Sequence, residues 1–221
     1  MSGVLKTGPV LTPPTGVGVQ GLLVLLHGFG ADGDDLRPLG PLLQQQVPGL
    51  AVVCPDAPNA TLMGYGRQWF SDAGWTFHDP AGMAVAHEAL MQTVTDLCQR
   101  LALSPERVVL AGFSQGGMQV AYSLTQWPTP LAGAMVLAGA LTPTAQAGLA
   151  AVATAARPPL WVAHGEDDAV VPVTAGQALA AALTQAGYGV TWHPVARAGH
   201  TTLFGPQVLG AMGVFLRRVL G

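Results

Sequence analysis

A serine at position 114 lies between two glycines, in the sequence GFSQG at residues 112–116. This pentapeptide follows the apolar run RVVLAG (107–112) directly and precedes a segment of helical character. At a strand–turn–helix junction of this kind the serine backbone is strained, its hydroxyl is exposed, and glycines leave room around it. We therefore predict that Ser114 is a nucleophile. The alternative is a glycine-rich turn whose serine only caps the following helix.

A serine hydroxyl is a weak nucleophile unless a base takes its proton and an acid orients that base. After a turn of this type the acid comes next along the chain and the histidine last. The only acidic residues after Ser114 are Glu166, Asp167 and Asp168, which follow the apolar run PLWVAH. Each of the three is a candidate for the acid. A solvated turn is the alternative for the cluster as a whole.

Two histidines follow the acidic cluster. His193 lies inside the strand-like run VTWHPV, where alternation would place it on a face of the sheet. His200 lies beyond that run, in AGHTT, where a loop can bring it over a cleft. We predict that His200 is the base and that His193 is a packed or surface residue.

The first apolar run of the chain ends in LHGFG, at residues 26–30. A loop in this position can hold the backbone N–H of Phe29 beside that of Gln115, the residue after the nucleophile. Two such donors would form an oxyanion hole, each contributing a few kcal/mol to the transition state. We expect His27 to be structural and to tie down this loop.

The glycines at residues 28–33 also match the G-x-G-x-x-G pattern of dinucleotide-binding turns, and Asp56 follows at a plausible distance. Such a turn needs a positive helix N-terminus for the pyrophosphate. Asp32, Asp34 and Asp35 crowd this position and would repel that ligand. We therefore expect no dinucleotide cofactor. The sequence also has no P-loop and no histidine and cysteine spacing typical of a metal site.

Apolar runs of strand length alternate with helical segments along the whole chain. The strand-like runs lie at 20–26, 50–54, 107–112, 132–139, 159–164 and 190–195, and the helical segments at 34–46, 82–102, 116–126, 173–186 and 204–220. This alternation predicts an α/β fold with a mostly parallel central sheet and helices on both faces. No repeat or linker divides the chain, so we predict one domain over residues 1–221. The structure of residues 1–20 is left open.

The composition argues against several classes of partner and location. The net charge is −3 and only 10% of the residues are charged, with no basic run that would favour nucleic acid or an anionic membrane. Glycines and a proline interrupt the apolar stretch 131–153, so we do not interpret it as a membrane span. Residues 1–16 have no apolar core behind a basic flank, and we expect no secretory signal there. Cys54 and Cys98 lie in apolar runs, which predicts buried free thiols and fits a reducing cytoplasm.

Six segments of this chain, in this order, resemble the phospholipase/carboxylesterase family, which includes bacterial carboxylesterases and cytosolic acyl-protein thioesterases. They are LLHGFGADGDDL, CPDAP, RQWF, LAGFSQGGMQVAYSL, HGEDDAVVP and AGH. The resemblance runs from about Leu22 to the C-terminus. It implies the α/β-hydrolase fold and a cofactor-free hydrolysis of carboxylic esters or thioesters.

The resemblance also implies a catalytic triad at Ser114, Asp168 and His200. It favours Asp168 over Asp167 because the acid of the family stands four residues before the proline of the VVP segment, here Pro172. After its histidine the family often has a serine and a nearby acidic residue. This chain has Thr-Thr-Leu at residues 201–203 instead, a departure that bears on the choice of substrate.

The irregular stretch that follows LAVVC is rich in large apolar residues. Seven of them lie within 16 positions: Leu62, Met63, Tyr65, Trp69, Phe70, Trp75 and Phe77. The stretch begins at the edge of the sheet predicted for Ser114, and loops of this length are usually functional. We predict that Leu62 and Trp69 wall a groove for an acyl chain. The alternative is a satellite core that only holds the loop down.

These residues together predict a serine carboxylic-ester hydrolase that acts through an acyl-enzyme on short-to-medium-chain esters. The expected partner is a small ester or thioester, or an acylated protein. Alternative reactions are those of an acyl-protein thioesterase and of a lysophospholipase. A non-catalytic ligand-binding protein on the same scaffold is an alternative of another class. About 20 residues separate the strands near Gly139 and Pro159, too few for a large lid domain.

Overall fold

The computed structural model describes residues 3–71, 79–151 and 157–221. A mixture of strands and helices alternates along this part of the chain, as the apolar pattern predicts. The strands are β1 (Gly21–Leu26), β2 (Leu50–Val53), β3 (Asn59–Ala60), β4 (Arg67–Gln68), β5 (Val108–Phe113), β6 (Gly133–Leu137), β7 (Leu160–Gly165) and β8 (Val190–Val195). The helices are α1 (Gly33–Leu36), α2 (Leu39–Gln46), α3 (Pro80–Leu101), α4 (Gln115–Leu124), α5 (Pro143–Gly148), α6 (Val173–Gln185) and α7 (Pro206–Leu220).

Six strands pair in parallel in the spatial order β2-β1-β5-β6-β7-β8, and β3 and β4 form a separate antiparallel hairpin. All six residues of β1, GLLVLL, are buried, which a strand covered on both faces requires. Leu22 and Leu26 pack in the cluster that includes α3, α4 and α6, and Leu23 packs in the cluster that includes α2 and α7. Helices therefore cover both faces of the sheet. The expected α/β-hydrolase architecture is confirmed.

The two edges of the sheet are treated differently. At the β2 edge the N-terminal segment forms a short antiparallel bridge, in which Leu11 and Val52 exchange two hydrogen bonds of 2.9 Å. The other edge is β8, which is half-buried and contains Pro194. Proline has no N–H to donate, so an edge strand tolerates it better than a central one.

One helical segment differs from the prediction. The expected helix over 34–46 is two helices, α1 and α2, that meet at Arg37 and Pro38. Pro38 has no N–H for a continuous helical ladder, so the chain turns there. Helices α3, α4, α6 and α7 lie within two residues of their predicted bounds, and the short helix α5 was not predicted. The Asp79 carboxylate caps α3 by accepting a hydrogen bond from the Gly82 N–H at 2.9 Å.

The structure also bears on the two cysteines and on the apolar stretch that begins at residue 131. Cys54 and Cys98 are both free and buried, as predicted. Residues 131–151 form β6 and α5 rather than one continuous helix. Within the described residues, no helix combines the length and the apolar character needed to cross a membrane. The described part of the β6–β7 connection consists of α5 and a short 3-10 turn.

The parallel pairing brings the carboxyl ends of the strands to one edge of the sheet. The loops after β1, β5, β7 and β8 begin at that edge, and each contains a residue that the sequence singles out. Functional residues in open α/β sheets are found at this edge.

Candidate active site

Ser114 occupies the turn between β5 and α4 with φ of +53° and ψ of −120°. A non-glycine residue with positive φ is strained and persists only when its surroundings hold it. The Ser114 N–H donates to Leu137 O at 2.8 Å, and Ser114 O accepts from the Met118 N–H at 3.0 Å. A β-carbon at Gly116 would lie 2.4 Å from Leu26 O, so only glycine allows α4 to begin so close to β1. The predicted strand–turn–helix junction is present.

Of the three candidate acids, Asp168 is the one that contacts His200. Its Oδ2 lies 2.7 Å from His200 Nδ1, and its side chain is fully buried. Its Oδ1 accepts hydrogen bonds from the N–H groups of Val170 and Val171, at 2.8 and 2.9 Å. Glu166 and Asp167 are exposed. The carboxylate of Asp168 is therefore held at both oxygens.

The direction of the contact between Asp168 and His200 follows from its chemistry. A carboxylate only accepts, so His200 Nδ1 carries the hydrogen and donates it. The other ring nitrogen, Nε2, is then free to accept a proton. The Phe113 ring packs on the His200 ring, with the centroids 4.8 Å apart. The imidazole is fixed by a hydrogen bond on one atom and by packing on its face.

His193 lies apart from this arrangement. It is half-buried on β8, where it is paired with Ala163, and its ring packs 5.3 Å from the ring of Trp161. The prediction that His193 is a packed or surface residue fits its half-buried position.

Ser114 and His200 line one cleft of about 290 Å³. Phe29 and Gln115, whose N–H groups are the predicted oxyanion donors, line it as well. The complete lining is Gly28, Phe29, Ala31, Asp35, Phe113, Ser114, Gln115, Met118, Val170, Val171, His200 and Thr201. The apolar wall includes Met118, Val170 and Val171, which the sequence analysis did not single out. Their positions offered a signal, since Met118 is one helical turn after Ser114 and the two valines follow Asp168.

His27 holds the loop between β1 and α1. Its Nδ1 lies 2.7 Å from Gly28 O, and its Nε2 accepts from the Ala57 N–H at 3.1 Å. An imidazole that donates at Nδ1 and accepts at Nε2 is neutral. Burial lowers the pKa of His27 below its usual value, which favours this neutral form, although the hydrogen bond to Gly28 and the charge of Asp56 oppose the shift. The structural role expected for His27 fits these contacts.

The sequence analysis predicts that Trp69 lines the cleft, but the structure places it elsewhere. It is fully buried, and its indole Nε1–H donates to His27 O at 2.9 Å. Its backbone N–H donates to Gln115 Oε1 at 2.9 Å, and Gln115 Nε2–H donates to Phe70 O at 3.0 Å. The groove-wall prediction for Trp69 is wrong because its polar groups bond inward. Trp69 connects the loop that carries Phe29 to the residue after Ser114.

The other apolar residues of this stretch lie at the tip of the β3–β4 hairpin. Leu62 is fully exposed, and Met63 and Tyr65 are largely exposed. The tip lies close to the β1–α1 loop, since a β-carbon built on Gly30 would be 3.3 Å from Met63 Cε. Trp75 and Phe77 lie outside the described residues.

Two N–H groups at the end of the glycine turn, at residues 33 and 34, donate to carboxylates of the chain. The Gly33 N–H donates to Asp56 Oδ1 at 3.0 Å, and the Asp34 N–H donates to Asp32 Oδ1 at 2.9 Å. A pyrophosphate would have to displace two carboxylates from these groups. Within the described residues, no group of three or more histidine, cysteine, aspartate or glutamate side chains could hold a metal ion.

Comparison with known proteins shows that this chain is similar to esterases and to a thioesterase. A probable carboxylesterase SOBER1-like of Arabidopsis thaliana is 27% identical over 188 residues, which are 81% of this chain and 72% of that protein. An acyl-protein thioesterase 1 of Gibberella zeae is 32% identical over 118 residues, or 52% of this chain and 49% of that protein. The solved structure of esterase PE8 is 32% identical and has a TM-score of 0.86, with 98% of this chain and 99% of that chain covered.

The family model described as phospholipase/carboxylesterase matches residues 14–219, nearly the whole chain. The sheet order, the turn at Ser114 and the solved esterase agree with that match. Family membership supports an ester-hydrolysing activity. The chain belongs to the phospholipase/carboxylesterase family and has the α/β-hydrolase fold.

Proposed function

We propose that this protein is a serine hydrolase that cleaves carboxylic esters through an acyl-enzyme intermediate. Ser114 is the nucleophile, His200 the base and Asp168 the acid that orients it. The observation that carries the proposal is the 2.7 Å contact between Asp168 Oδ2 and His200 Nδ1, in the same cleft as the strained Ser114. A strained serine that lines the same cleft as the histidine of a bonded His–Asp pair is typical of nucleophilic catalysis.

The reaction uses each of these groups in turn. Ser114 Oγ attacks the acyl carbonyl while His200 Nε2 takes its proton, and Asp168 stabilises the resulting imidazolium. The N–H groups of Phe29 and Gln115 bind the oxyanion, and the N-terminus of α4 favours its negative charge. His200 then gives the proton to the leaving alcohol. A water molecule repeats the sequence, which releases the acid and restores Ser114.

The proposed substrates are esters of short-to-medium acyl chains. The cleft of about 290 Å³ has a largely apolar wall, which suits an acyl chain of limited length. Leu62 lies beyond this wall at the exposed hairpin tip, where it would contact only a chain that extends out of the cleft. This is the substrate-binding role that we propose for Leu62.

Thioester hydrolysis on acylated proteins is a second candidate function. It is favoured by the likeness to a protein named acyl-protein thioesterase 1 and by the exposed apolar tip of the hairpin.

We also propose a cytoplasmic location. Cys54 and Cys98 are free thiols, which suits a reducing compartment, and burial raises the pKa of the Cys54 thiol to about 12.

A fluorophosphonate probe tests the proposal, because only an activated serine reacts with it rapidly. We expect the wild-type protein to be labelled once per chain and Ser114→Ala to be neither labelled nor active. Loss of the nucleophile should lower kcat by at least about a thousandfold, because the triad acts as a unit. A panel of p-nitrophenyl esters and acyl thioesters of graded length ranks the two candidate reactions.

A matched pair of variants tests the acid. Asp168→Asn should lower kcat far more than Asp167→Asn, since only the Asp168 carboxylate contacts His200. Equal losses in the two variants, or labelling of Ser114→Ala, would contradict the proposed machinery. An unlabelled and inactive wild-type protein would instead favour the non-catalytic binding protein.

A further inference from the structure

His164, near the end of β7, lies directly beneath the loop that carries Asp168. Its side chain is fully buried, and its Nε2 is 2.8 Å from Val171 O and 3.4 Å from Asp168 Oδ2. Both neighbours are acceptors, so Nε2 carries a hydrogen. That hydrogen is donated to Val171 O, with the carboxylate of Asp168 at the edge of its reach.

The backbone of Val171 links His164 to Asp168 by two hydrogen bonds. The Val171 N–H donates to Asp168 Oδ1 at 2.9 Å, while the Val171 carbonyl accepts from His164 at 2.8 Å. Val171 is therefore held on both sides, and one of those bonds orients the carboxylate. Asp168 Oδ2 is left to face His200 Nδ1. A change at His164 would reach His200 through Val171 and Asp168, without contact with the substrate.

In the part of the chain that the structure describes, only one of the two ring nitrogens of His164 has a hydrogen-bond partner. Its Nδ1 is buried and has no hydrogen-bond partner among the described residues. A buried polar atom without a partner is unfavourable, and an apolar side chain of similar size would avoid this cost. The Nε2 donor is thus the feature that distinguishes histidine from leucine at this position.

Packing limits the ring to one placement. A β-carbon built on Gly176, in the first turn of α6, would lie 2.3 Å from His164 Nδ1, so the helix backbone lies against this side of the ring. The Trp192 ring lies on β8, with its centroid 6.4 Å from that of His164. The ring is therefore confined, with Nε2 directed to the acid loop.

We propose that His164 is a positioning residue for the reaction. It holds the Asp168 carboxylate in the orientation in which Oδ2 accepts the hydrogen bond from His200 Nδ1. The inference rests on the proposed function, since it assumes that Asp168 orients His200 during turnover. It assigns a role to a buried histidine that the catalytic steps do not use. Hydrogen bonds in a buried network strengthen one another, so the loss of one donor is felt at the carboxylate.

The test compares His164→Leu, which has no donor, with His164→Gln, whose Nε2 reaches about as far as that of histidine. In the leucine variant we expect kcat for an acetyl ester to fall by about tenfold with KM within about twofold. The glutamine variant should recover kcat to within about threefold of wild type. The leucine variant leaves Val171 O without its donor but also removes the unpartnered Nδ1, so we expect these two effects to offset each other and its unfolding temperature to stay close to that of wild type. A merely structural role would lower stability and activity together.

Two further variants distinguish a positioning role of His164 from a general effect of removing a histidine or from a failure to fold. His193→Leu removes a half-buried histidine on the neighbouring strand and should leave kcat unchanged. If His164→Leu does not fold, Gly176→Ala presses on the same ring and should lower kcat several-fold in a folded protein.

Wild-type kcat in a folded His164→Leu, or in Gly176→Ala in its place, overturns the inference. Equal losses in the leucine and glutamine variants overturn it as well. Fluorophosphonate labelling of wild type but not Ser114→Ala shows independently whether the proposed function stands.

Discussion

Two parts of the stretch after β2 contain large apolar residues and lie in opposite environments. The inner clamp consists of Trp69 and Phe70 with their partners His27 and Gln115. The outer rim consists of Leu62, Met63 and Tyr65 at the hairpin tip. Trp69 is fully buried, whereas Leu62 is fully exposed, only seven positions earlier in the chain.

The difference between clamp and rim lies in how their polar groups are bonded. Trp69 donates its indole N–H to His27 O and its backbone N–H to Gln115 Oε1, and Gln115 Nε2–H donates to Phe70 O. The rim is held by bonds within its own hairpin, such as that from the Thr61 N–H to Gly66 O at 3.2 Å. The clamp can therefore affect every substrate equally, because it holds the loops beside Ser114. The rim can affect only a substrate long enough to reach it.

The largest expected effect separates the two parts by stability. Trp69→Ala removes a buried aromatic side chain and should lower the free energy of unfolding by about 3–5 kcal/mol. Leu62→Ala should change it by less than about 0.5 kcal/mol, since that side chain is in solvent. Urea denaturation of both variants measures this. A comparable loss at Leu62 would mean that the hairpin tip packs on the domain.

A smaller change isolates the hydrogen bond of the clamp. Trp69→Phe keeps an aromatic ring but leaves the buried His27 carbonyl without its indole donor, at a cost of about 1–3 kcal/mol. The constraint beside Phe29 is weakened as well. We therefore expect kcat/KM for acetyl and octanoyl esters to fall by the same factor. A loss confined to the octanoyl ester would show instead that Trp69 contacts the acyl chain.

The clamp should also depend on pH, through His27. Burial lowers the pKa of His27 below its usual 6.5, so below about pH 6.5 the unfolded chain takes up a proton that the folded protein resists. This contribution to stability is full above that pH and is lost as the pH falls toward the pKa of the folded protein. The unfolding free energy of wild type should therefore fall more steeply from pH 7 to 5 than that of His27→Gln. Burial also lowers the pKa of His87, but His87 is common to both proteins. Equal slopes would contradict the neutral clamp.

The smallest expected effect belongs to the rim. Leu62→Ser should leave kcat and KM for an acetyl ester unchanged and raise KM for a long-chain ester by about two- to fivefold, since one side chain covers only a few methylenes. Val214→Ser is a matched control, because Val214 is exposed on α7 and lines a different pocket. Chain-length profiles on the ester panel measure the effect. The same change in the Val214 variant would rule out a specific contact at Leu62.

The sequence by itself determined the sheet, the turn at Ser114 and the choice of His200 as the candidate base. Strands buried on both faces need continuous apolar runs, and such runs are visible without a structure. The turn is a local motif whose glycines are required by contacts within a few residues and with β1. The acid was limited to three neighbouring residues because no other acidic residue follows Ser114. Family resemblance then favoured Asp168.

Only the tertiary structure decided which side chains of the loops turn inward. Trp69 is buried by contacts with residues 42 and 46 positions away, and a loop has no periodicity that could predict them. The same holds for His164, whose Nε2 meets a carbonyl and a carboxylate on a loop that folds back over its strand. A strand pattern predicts that position 164 is buried, but the partner of a buried polar atom depends on the loop above it. The chemical types of the proposed catalytic residues are thus visible in the local sequence, whereas the contacts that support these residues depend on the whole fold.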